Sequence, residues 1–434
     1  MTELPFRLPA ELDFECTNCG RCCRDRWEIR VDSPSAEKLL REDWGARLAE
    51  LRGVVPFKKR LPLAGEGAGD ELGYTIERRS CGSCVFLSEK NLCGIHSLLG
   101  LREKPQVCQQ FPFLFSESPE GVTVGLSHYC PGVRRREGAA APPLLSQESE
   151  LRRLHAHALR VERAPEKVLI DDGLPVSWED YAAFEGFLRE LLLSDPRSPG
   201  TCLAALPVAC AMLADFLRVK AQGKDEPPSG AVRDFVSGWR RMGPSRIVDI
   251  ARRQKAAPRT GRLLLRQFLA LVDLAGESAT GTALGRAIRA AWAFAKELLG
   301  VGSAYCLPLD ARVSLRAARG VELPWDSAEL AWPLSRYADH AIFRRRLLPI
   351  LGARVGLALL VLHVASARFV ARAHAALEGR KRATPEDVAL GIQLVEKHYA
   401  THSRLGEAFA SGPARGLFRK IAARPRYALA VLQA

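Results

Sequence analysis

Nine of the 12 cysteines in this 434-residue chain lie between Cys16 and Cys130, and no other feature of the sequence restricts its fold as strongly. Cys16-Thr17-Asn18-Cys19-Gly20-Arg21-Cys22-Cys23 sets four thiols within eight residues. Cys81-Gly82-Ser83-Cys84 repeats the Cys-x-x-Cys spacing, and Cys93, Cys108 and Cys130 follow on separate segments. A Cys-x-x-Cys pair closes a tight turn that presents both sulfurs to one ion, and Gly20 or Gly82 eases such a turn by accepting positive φ. Buried free thiols alone give no reason for two such pairs, so the pattern points to a bound metal. Cys202, Cys210 and Cys306 sit singly in apolar sequence and are expected to be buried small hydrophobes.

This asymmetry divides the chain in two. The expected fold class is a small α+β cysteine-rich N-terminal module followed by a mainly α-helical region, with a module at 1–137, a linker at 138–146 and a helical domain at 147–434. Within the module, Trp27 to Val31 and Tyr74 to Arg78 have strand character, and Ser33-Pro34 opens a helix expected from Ser35 to Leu51. The residues around Ala64 to Gly73 form a loop. Val85–Leu87 with Asn91–Ile95, and Phe113–Phe115 with Val122–Val124, are expected as hairpins. The apolar core of so small a module is thin, and metal would supply the missing stability. Beyond the alanine- and proline-rich linker, helices are expected at Cys202–Ala221, Arg262–Leu274, Leu284–Leu299 and Tyr337–Leu377. Ser177 and Thr384-Pro385 carry helix-start signals, and no further strand-rich stretch is expected.

Four thiolates suit tetrahedral zinc, and thiolates are equally the ligands of iron–sulfur clusters. Nine cysteines exceed one four-ligand site by five and could fill two. On an extended chain the adjacent Cys22 and Cys23 point to opposite sides, so they serve different sites, or one ligates while the other packs. His96 and His128 are weaker ligand candidates, His96 packing instead on the helix that starts at Ser97. Asp25, Glu28 and Asp32 follow the cluster and are expected to be solvated carboxylates rather than partners of the ligands. Tyr337, Asp339 and His340 share a helical stretch, read as a core tyrosine and a surface histidine.

Taken together, Cys16-x-x-Cys19-x-x-Cys22-Cys23, Cys84-Val85-Phe86-Leu87, Asn91-Leu92-Cys93-Gly94-Ile95-His96 and Lys104-Pro105-Gln106-Val107-Cys108-Gln109-Gln110-Phe111-Pro112 resemble the YkgJ-type cysteine-cluster family, a zinc- or iron-chelating domain. The likeness runs from about Phe14 to Gly132. It implies Cys16, Cys19, Cys22, Cys23, Cys84, Cys93 and Cys108 as the core ligand set, with Cys81 and Cys130 joining it. The Leu98 to Pro105 spacer and the long helical extension are similar to the branch containing flagellin lysine-N-methylase. That second likeness implies an iron–sulfur cluster, S-adenosylmethionine as a cofactor and a flagellin-like protein substrate with exposed lysines. No Gly-x-Gly-x-x-Gly opens a helix after a strand, so a Rossmann cofactor site is not expected, and no catalytic residue is assigned.

Charge and hydropathy narrow the remaining classes. The net charge of +14 favours acidic partners, so a zinc-stabilised adaptor or nucleic-acid binder is the alternative, using basic clusters such as Arg134–Arg136 and Arg344–Arg346. Nucleic acid is not the expected partner, because the seven Trp and seven Tyr are not interleaved with the basic runs. The apolar stretch from Val355 to Ala367 falls short of the roughly 20 residues a membrane span needs and is expected as a core helix. No signal sequence is expected from Met1-Thr2-Glu3-Leu4-Pro5, and the clustered thiols fit a reducing cytoplasm.

Overall fold

The computed structural model describes residues 4–9, 12–25, 27–31, 33–59, 73–134, 143–158, 160–254, 257–276, 302–402 and 424–434, with the single positions 291, 292, 295, 296, 416, 418, 419 and 421. Contacts divide it into two compact units, one comprising Phe6–Phe115 with Val124–Val161, the other Ser116–Thr123 and Glu162–Ala434 with Met1–Pro5. The expected class is what is found: a cysteine-rich α+β region followed by a mainly helical one.

The cysteine-bearing unit begins with β1 (Phe6–Arg7), α1 (Arg21–Arg24), β2 (Arg30–Val31), α2 (Ser33–Leu40) and α3 (Trp44–Arg47). After these come β3 (Phe57–Lys59), β4 (Tyr74–Ile76), α4 (Gly94–Leu99) and α5 (Gln106–Gln110). Strands β2, β4 and β3 form an antiparallel sheet in that order, pairing Val31 with Tyr74 and Phe57 with Ile76. The helix expected over 35–51 is broken because Asp43 caps a new one, its carboxylate accepting from Ala46 N at 3.0 Å, while Trp44 Nε1 donates back to Leu39 O at 2.8 Å. The Val85–Ile95 hairpin shrinks to one bridge, Leu87 to Cys93, since Gly94 to Leu99 turns helical. A small core gathers Val31, Leu39, Trp44, Phe57, Ile76 and Phe86, with Trp44 edge-on to Phe86 at 4.8 Å.

Strands β5 (Phe113–Ser118) and β6 (Gly121–Leu126) realise the second expected hairpin, and the division of units passes through both. Helices α6 (Pro131–Arg134) and α7 (Glu148–Ala156) follow. Sequence placed the start of the helical domain at 147, yet α7 counts with the cysteine-bearing unit. The cause is visible in its hydrogen bonds: Gln147 Nε2 donates to Phe14 O at 2.9 Å and Arg153 Nη2 to Gln109 Oε1 at 3.0 Å. Of the expected linker only 143–146 is described, and the 64–72 loop and positions 135–136 also lie outside the described residues.

The helical unit opens with β7 (Val161–Arg163), β8 (Val168–Leu169) and β9 (Pro175–Val176), then α8 (Trp178–Leu193), α9 (Pro199–Ala221), α10 (Ala231–Met242), α11 (Ser245–Arg253) and α12 (Pro258–Gly276). It continues through β10 (Ser303–Cys306), β11 (Ala311–Ser314), α13 (Leu315–Gly320), α14 (Ala328–Phe343), α15 (Leu347–Leu351), α16 (Ala353–Leu377), α17 (Pro385–His398) and α18 (Pro425–Leu432). Ser177 caps α8 by accepting from Asp180 N, and Thr384 and Asp387 form a full capping box on α17. The short pairs β8–β9 and β10–β11 interrupt the helices without making a strand-rich stretch. The expected 284–299 helix lies almost wholly outside the described residues.

The stretch expected as one helix from Tyr337 to Leu377 is three. The chain breaks at Arg345, whose φ of 51° lets its buried guanidinium meet Glu185 at 2.7 Å and Glu120 at 2.6 Å. Pro349 and Gly352, with φ 85°, keep the break open. Arg344 is likewise buried against Glu396 at 2.8 Å and Arg346 pairs with Glu162 at 3.4 Å, so this basic run serves the interior rather than phosphates. His340 is buried, not a surface residue, and Asp339 pairs with Arg189 at 2.7 Å. Helices α9 and α16 are long and apolar enough to cross a membrane, α16 exceeding the 13-residue stretch seen in the sequence, yet most of each is buried inside the unit. They are core helices, with Cys202, Cys210, Leu206 and Leu360 all in one apolar cluster.

Candidate metal centre

The cluster begins with a turn that two positive-φ residues shape, Asn18 at 49° and Gly20 at 66°. Gly20 caps the single turn of α1, which carries Cys22 and Cys23. On a helix, adjacent side chains diverge by about 100° rather than the 180° of a strand. The two sulfurs accordingly stand 3.9 Å apart. Two thiolates held at about 2.3 Å by one tetrahedral zinc would be about 3.8 Å apart. The extended chain on which the reading of different sites, or of one ligand and one packing thiol, rested is replaced here by a helical turn.

Backbone hydrogen bonds then bring the other segments in. Cys84 N donates to Cys23 O at 2.7 Å, stitching the second Cys-x-x-Cys turn to the first. Arg24 donates to Cys19 O at 2.9 Å through Nη1 and to Asn91 Oδ1 through Nη2, tying the first turn to the loop before Cys93. Trp27 Nε1 donates to Cys22 O at 2.8 Å, and Arg78 holds Gly82 O at 2.8 Å and the carbonyl of Trp27. Cys93 precedes α4 and Cys108 lies within α5, where its N–H donates to Pro105 O at 2.8 Å. Cys84 belongs to the unit's core, and Cys23, Cys93 and Cys108 pack against that core.

Electrostatics identify which sulfurs are neighbours. Cys22 is drawn down to about 7, foremost by a hydrogen bond from the Cys23 thiol, with burial opposing and Lys104 assisting. Cys23 moves up for the same bond, then for burial and the charges of Cys22, Cys84 and Cys108. Burial raises Cys84 to about 11, with Cys93 adding to it. Burial also raises Cys108, partly offset by Lys104. Burial lowers Lys104, but the charges of Cys108, Cys93, Cys23 and Cys22 together outweigh it and hold the ammonium. Five sulfurs from four segments thus act on one another or on Lys104, with Arg78 and Arg79 also acting on Cys84. Cys130, raised by burial to about 12, feels Cys22 and Cys19 and extends the group on that side.

Cys16 and Cys81 are exposed. Cys16 approaches Asn18 Oδ1 at 3.7 Å, and Cys81 lies 3.1 Å from Ser83 Oγ, which lowers its pKa. Gly82 turns at φ 87° as the spacing required, but the turn leaves Cys81 outside and Cys84 inside. His96 is exposed and His128 buried. Among the described residues no three His, Cys, Asp or Glu side chains stand in a ready ligating array. The donors are gathered by backbone and packing, and their chemistry, soft thiolates with one half-buried lysine, fits a thiophilic cation such as zinc or iron.

Sequence reasoning missed the support around these sulfurs. Asp25 is buried, not solvated, and accepts from Tyr129 OH, whose pKa rises with burial and with that carboxylate. Tyr129 stacks edge-on to Trp27 at 5.0 Å, and Trp27 to Phe111 at 5.4 Å, making an aromatic wall next to Cys22 and Cys23. Glu28 is exposed and pairs with Arg30 at 3.2 Å, while Asp32 lies outside the described residues. Arg24 and Lys104 were visible as basic residues inside the cysteine motifs, and a positive charge needed among thiolates was the signal available.

Residues 15–131 match a family model described as "CxxCxxCC: Putative zinc- or iron-chelating domain". Residues 366–415, which take in the second half of α16 and all of α17, match a model described as an AAA lid domain. The chain is similar to Uncharacterized protein MJ0939 of Methanocaldococcus jannaschii, 28% identical over 142 residues, or 32% of this chain and 43% of that protein. The match thus spans less than half of that relative's length. No solved structure matches the chain.

Proposed function

We propose that Cys22, Cys23, Cys84, Cys93 and Cys108 hold zinc or iron as thiolates, with Cys19 and Cys130 completing the set on the Cys22 side. The observation that carries this is the 3.9 Å Cys22–Cys23 sulfur pair joined through Cys84 N to the second cysteine turn. Lys104 offsets the summed negative charge, and Asp25, Tyr129 and Trp27 fix the loop that presents the pair. Metal analysis with a visible spectrum on anaerobically purified protein tests the reading. Stoichiometric zinc or iron lost on Cys23→Ser is expected; full metal content in that variant overturns it.

A narrower reading follows from the sequence likeness to the lysine-N-methylase branch. In it the centre is an iron–sulfur cluster and the chain works on a flagellin-like protein in a reducing cytoplasm, where twelve free thiols persist. A neutral lysine amine would take the sulfonium methyl of S-adenosylmethionine, releasing S-adenosylhomocysteine and one proton. Broad absorption near about 400 nm with bound sulfide, together with labelled methyl on protein lysine, supports it. A colourless zinc protein that transfers no label refutes it and leaves metal binding standing, with a zinc-stabilised adaptor as its use.

A further inference from the structure

A second site lies in the helical unit. Its cavity is lined by Ala318 and Arg319 of α13, Arg368, Phe369 and Arg372 of α16, and Leu432 of α18. The innermost space is ≈ 20 Å³, set within ≈ 300 Å³ continuous with solvent. A water needs roughly 10–15 Å³, so the inner space admits a water or the end of a small polar group.

Arg368 is 5% exposed. Its guanidinium lies over the Trp325 ring at 3.7 Å and donates through Nη2 to Leu323 O at 2.7 Å, but its Nη1 is buried with no hydrogen-bond partner. Arg372, one turn on along the same helix face, donates through Nη1 to Ala434 O at 3.2 Å and keeps a buried, unpartnered Nε. Among the described residues no Asp or Glu side chain pairs with either guanidinium, and Arg372 has only Ala434 O, at the edge of the cavity, as an oxygen partner, while burial and the Arg372 charge both act against the Arg368 charge. Contrast Arg344 and Arg345, as buried as Arg368 but each matched to a glutamate. A buried cation with a second, half-buried cation beside it is expensive unless an anion neutralises them. The planar fork of arginine fits the oxygens of carboxylate or phosphate, which chloride-sized ions do not match in shape.

We propose that this cavity binds a small oxyanion, the end of a carboxylate or phosphoryl group, between Arg368 and Arg372. The apolar walls supplied by Ala318, Phe369 and Leu432 lower the local dielectric and strengthen the pairing. Calorimetric titration of the full chain with inorganic phosphate, and separately with acetate at constant ionic strength, tests it. Saturable one-to-one binding of either is expected; tighter phosphate identifies a phosphoryl ligand and tighter acetate a carboxylate. Arg372→Gln should weaken that binding at least tenfold while still melting cooperatively, and Arg316→Gln, an exposed neighbour on α13, should change it less than twofold. Arg368→Lys gives a second reading that keeps the charge but not the fork, and should also weaken binding. Absence of saturable binding to the wild type, or undiminished binding in Arg372→Gln, overturns the proposal.

Discussion

The two units use the same residue in opposite ways. In the helical unit Cys202 and Cys210 are fully buried among Leu203, Leu206 and Leu213, and serve as small apolar groups in a core that closes without help. In the other unit Cys23, Cys93 and Cys108 stand at the margin of a core built on little more than Trp44, Phe57, Phe86 and a few aliphatic residues. There the hydrogen bond with Cys22, burial and neighbouring sulfurs push the Cys23 thiol up, and burial with neighbouring sulfurs pushes Cys108 up, an arrangement that costs free energy as thiolates until a cation is present. One unit is held by apolar burial, while the other gathers sulfurs that, on the proposed reading, call for a metal to hold it.

The sharpest way to break this contrast is to remove a thiol from each side. Structural zinc contributes apparent binding free energies of about 10–16 kcal/mol in zinc-finger peptides, so Cys23→Ser or Cys84→Ser should abolish metal loading and unfold the cysteine-bearing unit. Cys202→Ser should cost the helical unit about 1–3 kcal/mol for burying a hydroxyl and leave metal content untouched. Metal analysis and two-transition denaturation would read both. Equal metal loss in the two variants would erase the distinction between the units.

Packing is the corresponding weak point of the helical unit. A Cβ on Gly391 of α17 would meet the carbonyl oxygen of Ala367 in α16 at 2.2 Å, too close for any rotamer change to relieve. Gly391→Ala should therefore destabilise this unit by about 3 kcal/mol or more, seen as a lower denaturation midpoint, with metal binding unchanged. A neutral effect would mean that α16 and α17 can part without cost, and that the core is not the source of stability assigned to it.

Acid separates the units by mechanism. His363 is 1% exposed and burial lowers its pKa to about 4 from a usual 6.5. A base with a depressed folded pKa stays neutral in the fold while the unfolded chain takes the proton, so its stabilising contribution is present above about 6.5 and is lost as pH falls towards 4. The full loss amounts to about 3 kcal/mol. Asp387 adds to it at lower pH: desolvation opposes its ionisation, but Arg380 and His374 hold its carboxyl well below the usual range. His363→Phe should flatten the slope of helical-unit stability between pH 6.5 and 4, measured by urea titration. In the cysteine-bearing unit the same pH change acts through protonation of thiolates and release of metal, which metal analysis would follow instead.

How much of this was legible in the sequence depends on whether the cause was local. Gly20, Gly82, Ser177 and the Thr384–Asp387 box were readable because each is fixed by residues within a few positions. The break at Arg345 was not, because its partners Glu185 and Glu120 lie about 160 and 225 positions away in the chain. The same holds at the candidate site. Spacing identified the nine cysteines, but the assignment of neighbours came from Cys84 N on Cys23 O and from Arg24 spanning to Asn91, contacts between segments some 60 positions apart. Asp25 was misjudged for that reason, its partner Tyr129 being 104 positions on.

The smallest expected effect bears most directly on that assignment. Spacing alone pairs Cys81 with Cys84, whereas the turn at Gly82 leaves Cys81 exposed and within 3.1 Å of Ser83 Oγ. A thiol in that position is lowered in pKa by its hydroxyl neighbour and is accessible to reagents, so it should alkylate first. Cys81→Ser should change metal content and unit stability by no more than the scatter of measurement, about 0.5 kcal/mol, while removing the fastest-reacting thiol. If instead Cys81→Ser unloads the metal as Cys84→Ser does, the turn must rotate on metal binding to bring both sulfurs inward. Sequence spacing would then be the better guide to the ligands than the turn at Gly82.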